Sequence, residues 1–234
     1  ADRAAAVRAH CARRALGDPV EPPRAHEVSE PRVAIVAGAH GELGRAVVES
    51  LVAVGWSVAS YGEAPGAGTR VVRQLDLCDR EAVANELGET AAELGAIGGL
   101  VVLPGPVERR ELGQITPESW HHVLRSHLLV AANLAWGVLP GMVARGAGNI
   151  VTIGSDAALG AGGAGAHCAA ASGAVLGFTK ALAIELAKTG VQVNAISAEL
   201  PVTRVSAVAA TAAYLLHEQH FFLGQLLPAT AGRA

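Results

Sequence analysis

Residues 32–55 read RVAIVAGAHGELGRAVVESLVAVG, and this stretch limits the possible folds more than any other in the chain. Its opening, RVAIVAG, is a buried strand. Its close, ELGRAVVESLVAVG, repeats apolar residues at helical spacing and stops at a glycine. Between them the glycines recur at every third position. Gly38 permits a tight turn, Gly41 lets backbone approach a ligand, and Gly44 lets the helix pack closely on the strand. A dinucleotide pyrophosphate would rest here, on the N–H groups that open the helix. Glu42 suits the helix dipole but repels such a ligand. At ~5 Å and an effective dielectric of ~20 that repulsion is roughly 3 kcal/mol per charge pair, unless the side chain turns to solvent.

From Pro31 onward strand and helix patterns keep alternating, which predicts a parallel sheet covered by helices on both faces. WSVASY and RVVRQLDL read as the second and third strands, DREAVANELGETAAELG as a helix, and GGLVVL as the fourth strand. A long helix over roughly 117–145 precedes the strand NIVTIG. The helix AAASGAVLGFTKALAIELAKTG leads into the strand VQVNAIS, and a last helix, about 205–217, into a short strand in GQLLPAT. LGAGGAGAH (159–167) reads as a flexible loop. Residues 1–30 stand apart as an Ala/Arg-rich helix and a proline-punctuated linker, leaving 31–234 as a single α/β domain.

The formal charge is −3 and the basic residues are scattered, so no nucleic-acid footprint is visible. No apolar run approaches the ~18 residues of a membrane span, and no signal-peptide pattern is visible. Cys11, Cys78 and Cys168 lack metal or disulfide spacing, which predicts reduced thiols in a cytoplasmic protein without a bound metal. The chain starts at Ala1 and its only methionine is Met142, so a fragment, a processed product and part of a longer polypeptide all stay open.

Asp76, at the end of the third strand, could accept a hydrogen bond from an adenine amino group or cap a helix. SYGEAPG, after the second strand, offers neither an acidic residue for a ribose hydroxyl nor an arginine for a 2′-phosphate. NAD and NADP therefore cannot be told apart.

The pieces RVAIVAGAHGELGRAVVESLVAVGW, GNIVTIGSDAALG, GAVLGFTKALAIELAKTGVQVNAIS and AATAAYLLHEQHFFLGQLLPATAG resemble the short-chain dehydrogenase/reductase family, most closely its 3-oxoacyl-carrier-protein reductases. The resemblance runs from about Pro31 to Gly232. It implies a Rossmann-like doubly wound sheet, an NAD(P) cofactor held at Gly38, Gly41, Gly44, Asp76 and Thr203, and a catalytic Ser, Tyr, Lys and Asn. Ser155 matches the serine. The tyrosine position holds Cys168, the lysine position Ser172, and the asparagine position His127. The family's NNAG becomes VLPG (102–105) and its PG becomes AE (198–199), while its substrate-covering segment after Thr203 is absent or lies outside this sequence.

Rescue from elsewhere is hard to arrange. The only tyrosines are Tyr61 and Tyr214, the only lysines Lys180 and Lys188. Lys180 lies eight residues beyond Ser172 on one helix, about 12 Å along its axis. A phenol without a neighbouring cation keeps its pKa near 10. Autonomous reduction is therefore not expected.

Three functional readings stay open. The first is a non-catalytic ketoreductase-like subunit or domain, keeping the helices by which the family associates and partnering an active reductase in a homo- or hetero-oligomer or within one longer polypeptide, with an acyl carrier protein as a further partner. The second is a rebuilt lyase, cyclase or acyl-transfer site, with Cys168 activated at a helix start, Ser155 beside it and His127 or His167 as base. The third is an NAD(P) sensor without turnover. His121 and His122 are expected on an exposed helix face, and His167 in solvent after its glycine loop.

Overall fold

A computed structural model describes residues 32–62, 69–160, 164–199, 202, 204–217 and 222–229. The N-terminal lead with Cys11, and Thr203, lie outside the described residues. The domain has a seven-stranded sheet of order β3-β2-β1-β4-β5-β6-β7, parallel throughout. Its strands are β1 (Arg32–Ala37), β2 (Trp56–Gly62), β3 (Val71–Gln74), β4 (Ile97–Val102), β5 (Gly148–Ser155), β6 (Val191–Ala198) and β7 (Leu226–Pro228). The order reverses between β1 and β4, and in such sheets ligands bind at that crevice.

The helices are α1 (Gly41–Ala53), α2 (Arg80–Leu94), α3 (Pro117–Leu124), α4 (Val130–Arg145), α5 (Ala166–Leu186) and α6 (Val205–His217). One core joins the sheet to α2, α4 and α5, through residues such as Leu87, Leu134, Met142 and Leu182. The other joins it to α1 and α6 through Val47, Leu51, Val208 and Leu215. Both faces are covered, so the central strands are apolar on both sides: Ile35 and Leu100 are fully buried, each contributing roughly 1.5–3 kcal/mol.

Local chemistry fixes the boundaries. The Asp79 side chain accepts from the N–H groups of Glu81 and Ala82 and so opens α2. Thr116 caps Ser119 N–H to open α3, with Pro117 in its first turn. A π-turn over Arg125–Leu129 welds α3 to α4. β3 is shorter than the predicted RVVRQLDL because Asp76 Oδ1 accepts from Cys78 N–H and turns the chain.

Two expectations need correction. α5 starts at Ala166, so His167 is helical rather than the end of a loop, while Cys168 lies at the helix start as expected. And two helices, Pro117–Arg145 and Ala166–Leu186, are long and apolar enough to cross a membrane by length and composition alone. Scattered polar residues interrupt the apolar run in each of these expected helices, and both pack against the sheet.

Candidate functional site

The glycine turn behaves as its spacing predicts. Gly38 has φ +78°, and its N–H donates to the Tyr61 carbonyl at 2.8 Å. A Cβ on Gly44 would lie 2.4 Å from the Ala39 backbone, so the close approach of α1 to β1 requires glycine there. Glu42 is exposed and lies on the groove between α1 and α6 with Arg45 and Arg204. It has turned away from the crevice, which removes the expected repulsion.

A cavity of about 630 Å³ opens at the switch point, lined by Gly38, Gly62, Asp76, Gly105, His121 and Arg125 among others. Of the expected cofactor residues, Gly38 and Asp76 border this cavity, while Gly41 and Gly44 belong to α1 and do not line it. Asp76 turns the chain rather than capping α2, a role taken by Asp79. His121 and His122 are exposed, as expected, and both line the cavity.

The four expected catalytic positions lie elsewhere. Ser155, Cys168, Ser172 and His127 are 1–4% exposed, and none of them lines the cavity. Ser155 and Ser172 do meet: the Ser155 N–H donates to Ser172 Oγ at 3.3 Å, while Ser155 Oγ caps Ala157 N–H. Cys168 packs among Val123, Ala171, Val107, Leu124 and Ala164. Its Sγ accepts from Glu108 N–H at 3.2 Å. Burial pushes the thiol above its usual range, outweighing a backbone hydrogen bond from Glu108. The burial of the thiol and the raised pKa run against the expected activation by the helix start. His127 sits in the π-turn with Nδ1–H donating to the Val123 carbonyl at 2.9 Å. Burial lowers its pKa, and Nε2 has no hydrogen-bond partner.

His167, expected in solvent, is fully buried and stacked on Trp120. What covers it is the segment after β4, and its fastener is Glu108, which the sequence reading did not single out. Glu108 Oε2 accepts from Ser119 Oγ at 2.8 Å, Arg110 Nε at 3.1 Å and His167 Nε2 at 3.4 Å. Its carbonyl accepts from Gly165 N–H at 3.0 Å. The Ser119 hydroxyl above all, then His167 and Arg110, holds the Glu108 carboxyl below its ordinary range against the opposing effect of desolvation. One carboxylate thus ties the β4–α3 segment to α3 and to the start of α5. No local pattern in LPGPVERRE announces this, because its partner His167 is 59 residues away.

The remaining phenols and ammonium groups do not substitute. The Tyr61 hydroxyl donates to the Glu86 carbonyl at 2.8 Å and pairs with Thr90 between β2 and α2. Tyr214 is on α6, and Lys180 borders a surface groove with Ile184 and Leu223. A nicotinamide dinucleotide fits in part. The Gly38 turn and Asp76 border the cavity where its adenosine end would lie, whereas Ser155 and Cys168 are buried and do not line it. Among the described residues no cluster of three or more His, Cys, Asp or Glu could hold a metal.

Known proteins give the context. A 3-oxoacyl-[acyl-carrier-protein] reductase of Escherichia coli is 29% identical over 181 residues, 72% of each chain. An acetoacetyl-CoA reductase of Shinella zoogloeoides is 34% identical over 177 residues, 70% of this chain and 72% of the relative. The nodulation protein G of Azospirillum brasilense is 31% identical over 179 residues, 71% and 73%. The family model described as short chain dehydrogenase matches residues 32–212, from the first strand into the last helix. With the parallel sheet, its switch-point crevice and the Gly38 turn in place, this chain belongs to the short-chain dehydrogenase family.

Proposed function

We propose that this chain is a non-catalytic ketoreductase-like subunit that partners an active 3-oxoacyl reductase in fatty-acid or polyketide-type metabolism in the cytoplasm. The observation that carries the reading is the replacement of tyrosine and lysine by Cys168 and Ser172, both buried, under a segment fastened by Glu108. A reductase site needs an acid whose proton reaches the substrate oxygen and a cation that lowers that acid's pKa. Here the acid position holds a thiol packed among apolar side chains, with no ammonium near it. The printed names of its relatives point to acyl-thioester reduction as the partner's chemistry. An acyl carrier protein is then the natural third member, carrying the acyl group to the active subunit.

The surface supports association. α5 shows Ala166, Ala170, Gly173, Gly177, Ala181 and Ile184 on its exposed side, and α4 shows Trp136. Lys180 and Glu185 flank this strip of small and apolar residues, which lets another helix approach the α5 backbone closely. A rebuilt covalent site fits less well: the Cys168 thiol is pushed up, and no hydrogen bond joins it to His127 or His167.

The test is solution mass with and without the intact 3-oxoacyl reductase from the same source, with ketoacyl reduction followed in parallel. A mixed oligomer with an altered rate is expected, unchanged by Cys168→Ala. Failure to associate, or dependence on the thiol, would overturn the proposal.

A further inference from the structure

The outer face of α2 is open and acidic. The helix buries only a narrow side, Val83, Leu87 and Thr90. Outward stand Ala84, Gly88 and Ala92, one row at four-residue spacing, with Glu81 and Glu89 beside it. A Cβ on Gly88 would meet nothing within 4 Å, so another backbone can come close there. Arg73 of β3 pairs with Glu86 and Glu93, and Arg80 lies over Trp136 of α4. Those contacts turn the acidic flank of α2 toward the β3 edge. Glu81 and Glu89 have no cation partner among the described residues. Elsewhere the outward charges balance: Arg45 stands between Glu42 and Glu49 on α1, and Lys180 near Glu185 on α5.

A segment of matching chemistry precedes β1. In ADRAAAVRAHCARRAL (1–16), helical spacing puts Ala5, Ala9, Ala12 and Leu16 on one side, with Arg8 and Arg13 flanking it. The stretch carries Arg3, Arg8, Arg13 and Arg14 against the single carboxylate of Asp2. The tether fits as well. Val33 of β1 pairs with Ile97 of β4, just past the end of α2 at Leu94, so the chain enters the sheet beside that end of the helix. Residues 17–31 reach about 50 Å when extended, several times the ~10 Å diameter of the helix they must pass. α2, at 15 residues, is about 22 Å long, and a helix over residues 4–16 would be about 20 Å.

We propose that residues 4–16 of this same chain dock as a helix on the outer face of α2, with alanines against Ala84, Gly88 and Ala92 and arginines against Glu81 and Glu89. Small side chains on both helices allow close backbone approach, and the guanidinium groups supply the cations that this face lacks. So short a helix is marginal alone in water, and the contact gives it a packed side. The tether holds it at an effective concentration in the millimolar range, so an interface too small for two separate chains suffices. The docked segment covers α2 and leaves α4 and α5 open, so it stands or falls independently of the partner reading.

The test is hydrogen exchange on the full chain, read by mass on peptides covering residues 1–16, with β4 as the internal reference for an intact sheet. In the parent chain these amides should exchange at least about tenfold more slowly than in the variant Glu81→Lys with Glu89→Lys. Arg8→Glu with Arg13→Glu should show the same loss. Lys, Arg and Glu are all good helix formers, so neither pair of changes acts through propensity. Combining the four substitutions should bring protection back to within about threefold of the parent, because the charges are then exchanged rather than removed. Protection should not depend on protein concentration. Fast exchange in the parent, protection that survives either charge reversal, or a combination that fails to rescue would each overturn the proposal. So would protection that rises with protein concentration, which would make a second copy the occupant.

Discussion

Tyr61 and Cys168 are both buried, and burial decides what each can do. The Tyr61 phenol is pushed up to about 12, chiefly by desolvation. In the unfolded chain it ionises near pH 10, so the folded form binds its proton more tightly. Its contribution is intact below pH 10 and is lost as pH rises from about 10 to about 12, some 2–3 kcal/mol in all. Urea unfolding across that range should show the loss in the parent chain, and Tyr61→Phe should flatten it. At neutral pH the same variant should cost about 1 kcal/mol, because Thr90 and the Glu86 carbonyl lose their partner. Cys168 yields a sharper test of the missing chemistry. If only the side chains were lost, Cys168→Tyr with Ser172→Lys would restore ketoacyl reduction. The thiol packs against Val107, Val123 and Ala171, so a phenol ring there needs space the structure does not offer. The double variant should stay inactive and be destabilised by about 1–3 kcal/mol, measured by reductase assay and denaturant melt.

At the scale of elements, the strand–turn–helix order was legible because it is written in local patterns. RVAIVAG, NIVTIG and VQVNAIS are apolar runs of strand length, and the glycines at 38 and 44 announce a turn and a close approach. The helices over 117–145 and 205–217 came out where their spacing put them. The closing segment was not legible, since it is built from long-range contacts. Glu108 has no helical or strand partner nearby, and its role exists only once α3 and α5 lie side by side. The same cause hid the burial of His167: after a glycine-rich loop a histidine reads as solvated, until a distant carboxylate and Trp120 cover it. The Glu108 carboxylate fastens the segment together with the backbone bonds of Glu108 to Cys168 Sγ and Gly165 N–H and the packing of Val107, so Glu108→Ala should loosen it without unfolding the sheet. Maleimide labelling of Cys168 should then rise by about tenfold or more, with Cys78 labelling as the internal reference. An unchanged Cys168 rate would mean that apolar packing by Val107, rather than the carboxylate, keeps the segment shut.

At the scale of the whole molecule, one side of the sheet offers the surface by which the proposed subunit would join its partner. α2, α4 and α5 all pack on it, and their outward residues include Trp136 at 50% and Ile184 at 78% exposure. Arg80 lies 4.3 Å over the Trp136 ring in a cation–π contact. α5 adds small residues along its exposed side, so another helix could approach its backbone closely. A stable contact needs about 1,000 Å² or more of buried surface, and two long neighbouring helices can supply that. Neither Trp136 nor Ile184 is buried in the subunit, so Trp136→Glu with Ile184→Glu should change its folding stability by no more than about 0.5 kcal/mol per site. In the assembly the same two carboxylates would be desolvated without partners. Mass measurement in solution should show the double variant failing to join the reductase while its melting curve stays near that of the parent chain. If the variant still associates normally, the binding face lies elsewhere, and the β7 edge with α6 becomes the surface to alter next.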